Sequence, residues 1–218
     1  MKQPLIIFGA GGAGRELAYS LIRPAQPSES WTVIGFVDDD PALEGKTVDG
    51  FPVLGDSHWL ESHGGSVAVC VVGNPMRKKD IVNRLKKSGV VRFPLVIAPG
   101  SNIAQDTIWG EGCIVSFYWN GISINTRYGD FVFINSHNSI GHDVVIGDYT
   151  TLYSGIFIGG GARIGSSCIV GTGAIINHSV NIGDNSIIGA GAVVNRDVPD
   201  NVTVAGIPAK IIKTRQDP

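Results

Sequence analysis

The sequence predicts an α/β unit over residues 1–93 and, over residues 94–218, a coil of short parallel strands wound on three flat faces. Three observations predict it. A strand near the N-terminus runs into a glycine-rich turn and a helix, an apolar residue recurs at every sixth position through the second half, and 30 of the 218 residues are glycine. That glycine share is about double the usual ~7 percent, as a structure with many tight corners would use.

In chain order, Pro4 to Phe8 reads as a buried strand, Gly9-Ala10-Gly11-Gly12-Ala13-Gly14 as a turn, and Arg15 to Ile22 as a helix. A second strand, Trp31 to Val37, leads into Asp38-Asp39-Asp40. A third is expected from Val67 to Val72, followed by a helix from Arg77 to Lys87 with Ile81, Val82 and Leu85 on one face. This alternation predicts a short Rossmann-like parallel sheet. Gly9, Gly11 and Gly14 match the dinucleotide fingerprint in letter, with Asp38 or Asp39 somewhat late for its ribose contact. The residues before the repeat are too few for two mononucleotide-binding halves, so a complete NAD fold is not expected. The turn still suits a phosphate, because glycines let an anion approach the backbone and the helix N-terminus offers N–H donors. The competing use of the same glycines is close strand-to-helix packing. His58 and His63, in the irregular segment between, read as surface residues.

From residue 122 onward the repeat holds register without a break: Ile122, Tyr128, Ile134, Ile140, Ile146, Leu152, Ile158, Ile164, Val170, Ile176, Ile182, Ile188 and Val194. Glycine usually follows, as at Gly129, Gly141, Gly147, Gly159, Gly165, Gly171, Gly183 and Gly189. A period of six belongs to neither a helix nor an ordinary sheet. It fits a three-faced coil in which each short strand points one aliphatic residue inward, three hexads making one full turn. Upstream, Ile108 and Ile114 keep the spacing, but Ile114 to Ile122 is a step of eight. Two extra residues are therefore expected around Phe117 to Gly121.

Lys and Arg number 17 against 19 Asp and Glu, a formal charge of −2 that gives no field for a nucleic-acid backbone. The longest apolar runs, such as Ser66 to Gly73, are strand-sized, well short of the ~20 residues of a membrane span. Gly9 ends the first strand before a signal-peptide core could form, so the expected location is the cytoplasm. Cys70, Cys113 and Cys168 are odd in number and far apart, which suits reduced, packed thiols. The histidines lack the neighbours of a metal site.

The hexads, with the tail Val204-Ala205-Gly206-Ile207-Pro208-Ala209-Lys210, resemble the hexapeptide-repeat acyltransferases, whose fold is a left-handed parallel β-helix. Together with the N-terminal unit, the chain resembles the sugar acetyltransferases of the bacillosamine and perosamine pathways and the sialic acid O-acetyltransferases. The resemblance implies acetyl-CoA as co-substrate, a nucleotide-linked amino sugar as acceptor, and a homotrimer with active sites between subunits. It places the general base in a His-acid pair, here His142 with Asp143, in Ile140-Gly141-His142-Asp143. Successive strand residues point to opposite faces, so contact between those two side chains requires a turn at Asp143.

One coil on from His142 the equivalent position is Gly160, whose bare backbone would let a thioester lie close; the resemblance selects its N–H as donor to the acetyl carbonyl. His178, six hexads from His142 and so two coils on along the same face, is placed against CoA, although an exposed neutral role fits it and His137 equally. By resemblance Ala190, Gly206 and Lys210 line the pantetheine and adenine end of CoA, Gly11, Gly12, Gly14, Asp38 and Asp39 hold the acceptor nucleotide, and Asn135 lies near the sugar. The chain departs from some relatives in having Thr151 where they carry a second histidine. No serine or cysteine sits in a nucleophile setting, so the acceptor is expected to attack the thioester directly. Three alternatives stay open on sequence alone: O-acetylation of a sialic acid or similar sugar, an NAD-dependent oxidoreductase using Gly9 to Gly14, and a non-catalytic β-helix scaffold.

Overall fold

The computed structural model describes residues 2–23, 28, 30–63, 68–70 and 73–215. The first sheet comprises β1 (Gln3–Phe8), β2 (Trp31–Val37), β3 (Thr47–Val48), β4 (Phe51–Gly55) and β5 (Ala68–Cys70), in the order β3-β4-β2-β1-β5. Its pairs are parallel except for the β3–β4 hairpin at the edge. β1 is an inner strand buried on both sides, which is why Leu5 to Phe8 is continuously apolar. Leu5 and Ile7 meet helix α1 (Gly12–Ile22) through Leu17 and Leu21. Ile6 and Phe8 point the other way, toward Ile81, Val82 and Leu85 of helix α3 (Pro75–Ser88).

Helix α3 begins two residues earlier than its apolar spacing indicates. Asn74 caps it, its side-chain oxygen accepting from Met76 N and Arg77 N at 3.0 and 3.2 Å, and Pro75 fits the first turn. Gly89 at φ 69° ends it. A further short helix, α2 (Ser57–Ser62), was not legible from spacing; it is started by Asp56, which accepts from Trp59 N. His58 and His63 lie in it and just after it, and both are exposed. Of the third expected strand, residues 67, 71 and 72 lie outside the described residues, as does the side chain of Cys70.

The second half is a parallel β-helix. Two-residue strands pair with the coil before and after at constant register, for example Ser139↔Phe157↔Ile175, and stack into faces of eight, six and four strands. All 13 hexad residues from Ile122 to Val194 are buried at 4 % exposure or less. At about 2 kcal/mol for each aliphatic side chain taken out of water, this column is the main source of the unit's stability. The hexad holds more than one inward position. Two residues earlier, Val132, Val144, Ile156, Ala162, Cys168, Ala174, Val180 and Ala192 are also buried, because alternate residues share a side and the narrow axis accepts small side chains there. Burial pushes the thiols of Cys113 and Cys168 up to about 11, as packing groups rather than nucleophiles.

The upstream phase differs from the sequence reading. Val115, not Ile114, aligns with Ile134, and Ile103 aligns with Ile122, so the interior series is Ile97, Ile103, Trp109, Val115 and then Ile122. The last step is seven, so one residue is inserted, not two. Ile108 is half exposed, and Ile114 is buried outward, against the first sheet. It is apolar because a domain covers it, which mimics an interior residue in the sequence.

That covering sets the geometry of the molecule. Val96, Ile114 and Phe133, on the eight-stranded face, belong to the same apolar cluster as Leu5, Leu17 and Phe36. At one edge of this face Lys78 Nζ donates to Phe131 O at 2.6 Å, and at the other Tyr19 stacks on Phe117. The α/β domain thus straddles one face of the prism and its two corners, leaving the third corner free.

Candidate active site

His142 stands on that free corner, where the chain passes from Ser139–Ile140 on the six-stranded face to Val145–Ile146 on the four-stranded face. Asp143 adopts φ 59°, and this left-handed turn brings its carboxylate alongside the imidazole: His142 Nδ1 and Asp143 Oδ2 are 2.7 Å apart. The turn required by the sequence argument is present. The other oxygen, Oδ1, accepts from Asn125 Nδ2 at 2.5 Å, one coil earlier. The hydrogen bonds from His142 and then Asn125 hold the Asp143 carboxyl below its usual range. With Nδ1 committed to the carboxylate, the neutral ring carries its proton there and leaves the Nε2 lone pair free. Asn125 was missed in the sequence. Its signal was its place one coil before Asp143, at the same point of the repeat.

The next coil explains Gly160. A Cβ there would lie 2.6 Å from His142 Nε2 and 2.7 Å from Cε1, so the imidazole rests directly on the glycine. Gly159 N donates to Ile176 O and Gly161 N to His142 O, whereas Gly160 N enters no hydrogen bond among the described residues. At the corner beneath the α/β domain the equivalent N–H groups of Asp130 and Ser166 are capped by Asp148 and Asp184, at 2.8 and 2.7 Å. The His142 corner therefore combines a free imine nitrogen, a backbone donor and no side chain between them. That set is what transfer of an acyl group to a nucleophile needs: a proton acceptor and a donor for the developing oxyanion.

His178 follows on the same corner, one coil beyond Gly160, and is exposed. Ala190 lies on a different corner, between the eight- and six-stranded faces, as does Asn135, whose Oδ1 accepts from Ser136 N at 2.9 Å. Gly206, at φ 96°, and the exposed Lys210 belong to the hairpin of Val202–Ala205 and Lys210–Thr214 that extends the eight-stranded face. Within one chain Ala190, Asn135, Gly206 and Lys210 are not brought to His142. Thr151 is fully buried, its hydroxyl without a hydrogen bond among the described residues. No three His, Cys, Asp or Glu side chains group as a metal site among the described residues.

The glycine turn opens into a cleft of about 270 Å³ lined by Gly11, Gly12, Gly14, Asp38, Asp39 and Arg77, with other neighbours. The three glycines divide by role. A Cβ on Gly14 would sit 1.9 Å from the Gly9 carbonyl oxygen, so this residue serves strand-to-helix packing; around Gly11 and Gly12 there is nothing within 4 Å, so they are open to a guest. Gly14→Ala is accordingly expected to destabilise the fold by about 2 kcal/mol or more, read as a fall in Tm, with Gly11→Ala near neutral. Equal Tm values for the two variants would remove this distinction.

Asp38 and Asp39 turn out to be engaged within the protein. Asp38 accepts from Ala10 N at 2.8 Å and from Asp40 N at 3.0 Å, so it shapes the turn. Asp39 accepts from Ser57 N at 2.9 Å and pairs with Arg84 at 2.8 Å. Burial opposes its ionisation, but the bonds from Arg84 and Ser57 outweigh it and lower its pKa. Arg77, which the sequence reading named only as the start of a helix, brings to the cleft a positive charge with no ion-pair partner among the described residues. No spacing motif marks it.

Two family models match the chain: the PglD N-terminal domain over residues 4–85 and the bacterial transferase hexapeptide (six repeats) over 161–196. Among solved structures, WeeI from Acinetobacter baumannii is 31% identical over 95% of this chain and 99% of its own, with a TM-score of 0.80. The chain belongs to the hexapeptide-repeat sugar acetyltransferases. Similar members of this family of acetyltransferases include a histidine variant of perosamine N-acetyltransferase from Caulobacter crescentus in complex with CoA and GDP-perosamine. It is 27% identical over 97% of both chains, with a TM-score of 0.86. The acetyltransferase domain of PglB from Neisseria gonorrhoeae, in complex with acetyl coenzyme A, is 28% identical over 97% of this chain and all of its own, with a TM-score of 0.85. A search of curated protein sequences returned no match. The expected fold class, an α/β domain followed by a left-handed parallel β-helix, is borne out for this acetyltransferase.

Proposed function

We propose that this acetyltransferase moves the acetyl group of acetyl-CoA to the amine of a nucleotide-linked 4-amino-4,6-dideoxy sugar, in the cytoplasm and for surface glycan biosynthesis. The observation that carries the reading is the His142–Asp143 pair with its free Nε2 against Gly160, whose N–H has no acceptor among the described residues. His142 takes the proton of the acceptor amine as its nitrogen attacks the thioester carbonyl. Asp143, itself held by Asn125, fixes the ring and its tautomer. Gly160 N–H holds the oxyanion of the tetrahedral intermediate, and its collapse expels the CoA thiolate, which recovers the proton from the imidazolium. No acyl-enzyme forms.

His178, Ala190, Gly206 and Lys210 hold CoA in this reading, and Gly11, Gly12, Gly14, Asp38, Asp39 and Asn135 belong to the acceptor side, with Arg77 added at the diphosphate. Asp38 and Asp39 act by shaping the cleft, since their oxygens already accept protein N–H groups. The acceptor cleft is on the domain that covers the eight-stranded face, and His142 is on the corner opposite. That separation, and the placement of Ala190 on another corner, support an active site assembled between copies in a homotrimer. Exposed Phe157 and Ile175 on the six-stranded face supply apolar surface for it.

The test is thiol release from acetyl-CoA against UDP-, dTDP- and GDP-linked 4-amino sugars, with free sialic acid as comparison, alongside the molar mass by light scattering. One active nucleotide-linked amine and a trimeric mass are expected. Activity on sialic acid alone, or a monomer with full activity, would overturn the reading.

A further inference from the structure

A register defect of the β-helix marks a second feature of the acceptor side. From Ile122 onward to Val194 successive coils pair in one constant register, Ile122 with Ile140 and Ile140 with Ile158, but Ile103 pairs with Ile122, one residue further along the chain than that register allows. The extra residue falls between Val115 and Ile122. In that corner two aromatic residues, Phe117 and Trp119, are held at positive φ, 58° and 61°. Positive φ at residues other than glycine recurs at the corners of this β-helix, as at Asn125, Phe131, His137 and Tyr149, but the corner with the inserted residue holds two of them, both aromatic. Trp119 is 71% exposed, its edge against His137 with ring centres 4.9 Å apart. Phe117 stacks on Tyr19 of α1, centres 6.5 Å apart, and Tyr118 is buried under Arg23.

Between Phe117 and α1 lies a cavity of about 380 Å³ lined by Gly12, Arg15, Glu16, Tyr19, Asp49 and Phe117. It shares Gly12 with the glycine-turn cleft, so the two meet at the first turn of α1. The walls are of two kinds. Tyr19 and Phe117 present aromatic surface, while Arg15 and Asp49, joined by bonds of 2.6 and 3.1 Å, are half exposed and retain hydrogen-bonding capacity toward a guest.

We infer that this junction cavity holds the hexose of the nucleotide-linked acceptor, with Tyr19 and Phe117 packing on the apolar face of the sugar. The inference rests on the proposed function and adds the residues that select the sugar. A pyranose has one C–H face that suits an aromatic wall, and a 6-deoxy sugar adds a methyl group; its hydroxyls match Arg15 and Asp49. A diphosphate on the open backbone of Gly11 and Gly12 leaves its sugar at Gly12, where the cavity begins. Asn135, on the neighbouring coil beside this corner, falls on the same side of the molecule. The base then comes from His142 of a second copy.

The experiment compares the wild type with Tyr19→Ala and Phe117→Gly, the latter chosen because glycine accepts the positive φ of this position without strain. Affinities are measured for UDP and GDP and for the UDP- and GDP-linked 4-amino-4,6-dideoxyhexoses, together with steady-state acetylation. The expected result is about a tenfold loss of affinity and rise in KM for the nucleotide sugar, with the nucleoside diphosphate and acetyl-CoA affinities unchanged. Equal losses for sugar and nucleoside diphosphate, or no loss in either variant, overturn the inference while a wild type that acetylates leaves the proposed function standing. A wild type that neither binds nor acetylates any of these sugars removes both. A variant that loses affinity only with loss of the wild-type mass overturns it as well, assigning Tyr19 and Phe117 to subunit contact.

Discussion

Replacing His142 by alanine is expected to lower kcat by about two orders of magnitude or more while CoA binding persists. The imidazole is the group at this corner with a lone pair placed to take a proton, because Asp143 occupies Nδ1 and leaves Nε2 against Gly160. Nothing structural depends on it: the side chain is 63% exposed, so its removal leaves no cavity and Tm should be unchanged. Asp143→Asn should retain more activity than His142→Ala, since an amide still meets Nδ1 but no longer favours the imidazolium. The hydrogen bonds on Asp143 lower its pKa, so its charge is present above the ordinary carboxylate range and lost only as pH falls through the lowered value. Asp143 is therefore still the orienting anion throughout the neutral range. Near-normal turnover of His142→Ala at saturating substrates would remove it from the mechanism.

The β-helix was legible because its constraint is strictly periodic: one inward apolar residue per hexad, aliphatic at all but Tyr128, leaves 13 matched positions, all buried. Where the phase failed, upstream of Ile122, a second constraint wrote the same letters. Ile114 is apolar because the α/β domain covers it, and a one-dimensional pattern does not separate an axis from an interface. The pairing of His142 with Asp143 was legible only as a possibility, since adjacent strand residues diverge; the positive φ at Asp143 decides it, and the signal for that turn lay in the repeat, where the same phase is glycine or asparagine at Asn125, Gly155, Gly161, Gly173, Asn185 and Gly191.

The acceptor side was less legible still. Asp38 and Asp39 look like ligand groups in sequence, but the donors that satisfy them, Ala10 N, Ser57 N and Arg84, come from segments 18 to 45 residues away. Only tertiary structure pairs them. Arg77 is the converse, a charge that the sequence marks only as a helix start and that the fold sets beside the glycine turn. Gly11, Gly12 and Gly14 of the turn are identical letters with different work, and only the atoms a Cβ would meet distinguish Gly14 from the other two.

Gly160→Ala is expected to reduce kcat/KM by about a hundredfold with little change in Tm. The added methyl would come within 2.6 Å of Nε2, 2.7 Å of Cε1 and 3.0 Å of Cδ2 of His142, all atoms at the end of an exposed, rotatable side chain. The ring yields, at small cost in stability. This contrasts with Gly14→Ala, where the opposing atom is a backbone carbonyl oxygen at the end of β1 and the fold itself must shift. Displacing the ring breaks the Nδ1 contact with Asp143 and moves Nε2 from the place where the acceptor proton is released, and an error of about 1 Å there is enough for a loss of this size. The methyl also fills the space through which a thioester carbonyl would approach Gly160 N. The two effects separate in combination. If displacement of the imidazole is the whole loss, His142→Ala with Gly160→Ala is no slower than His142→Ala alone; if the backbone donor matters independently, the double variant is slower than either single one. Wild-type activity in Gly160→Ala, with the imidazole still bonded to Asp143, would show that neither the ring position nor the donor at Gly160 is used.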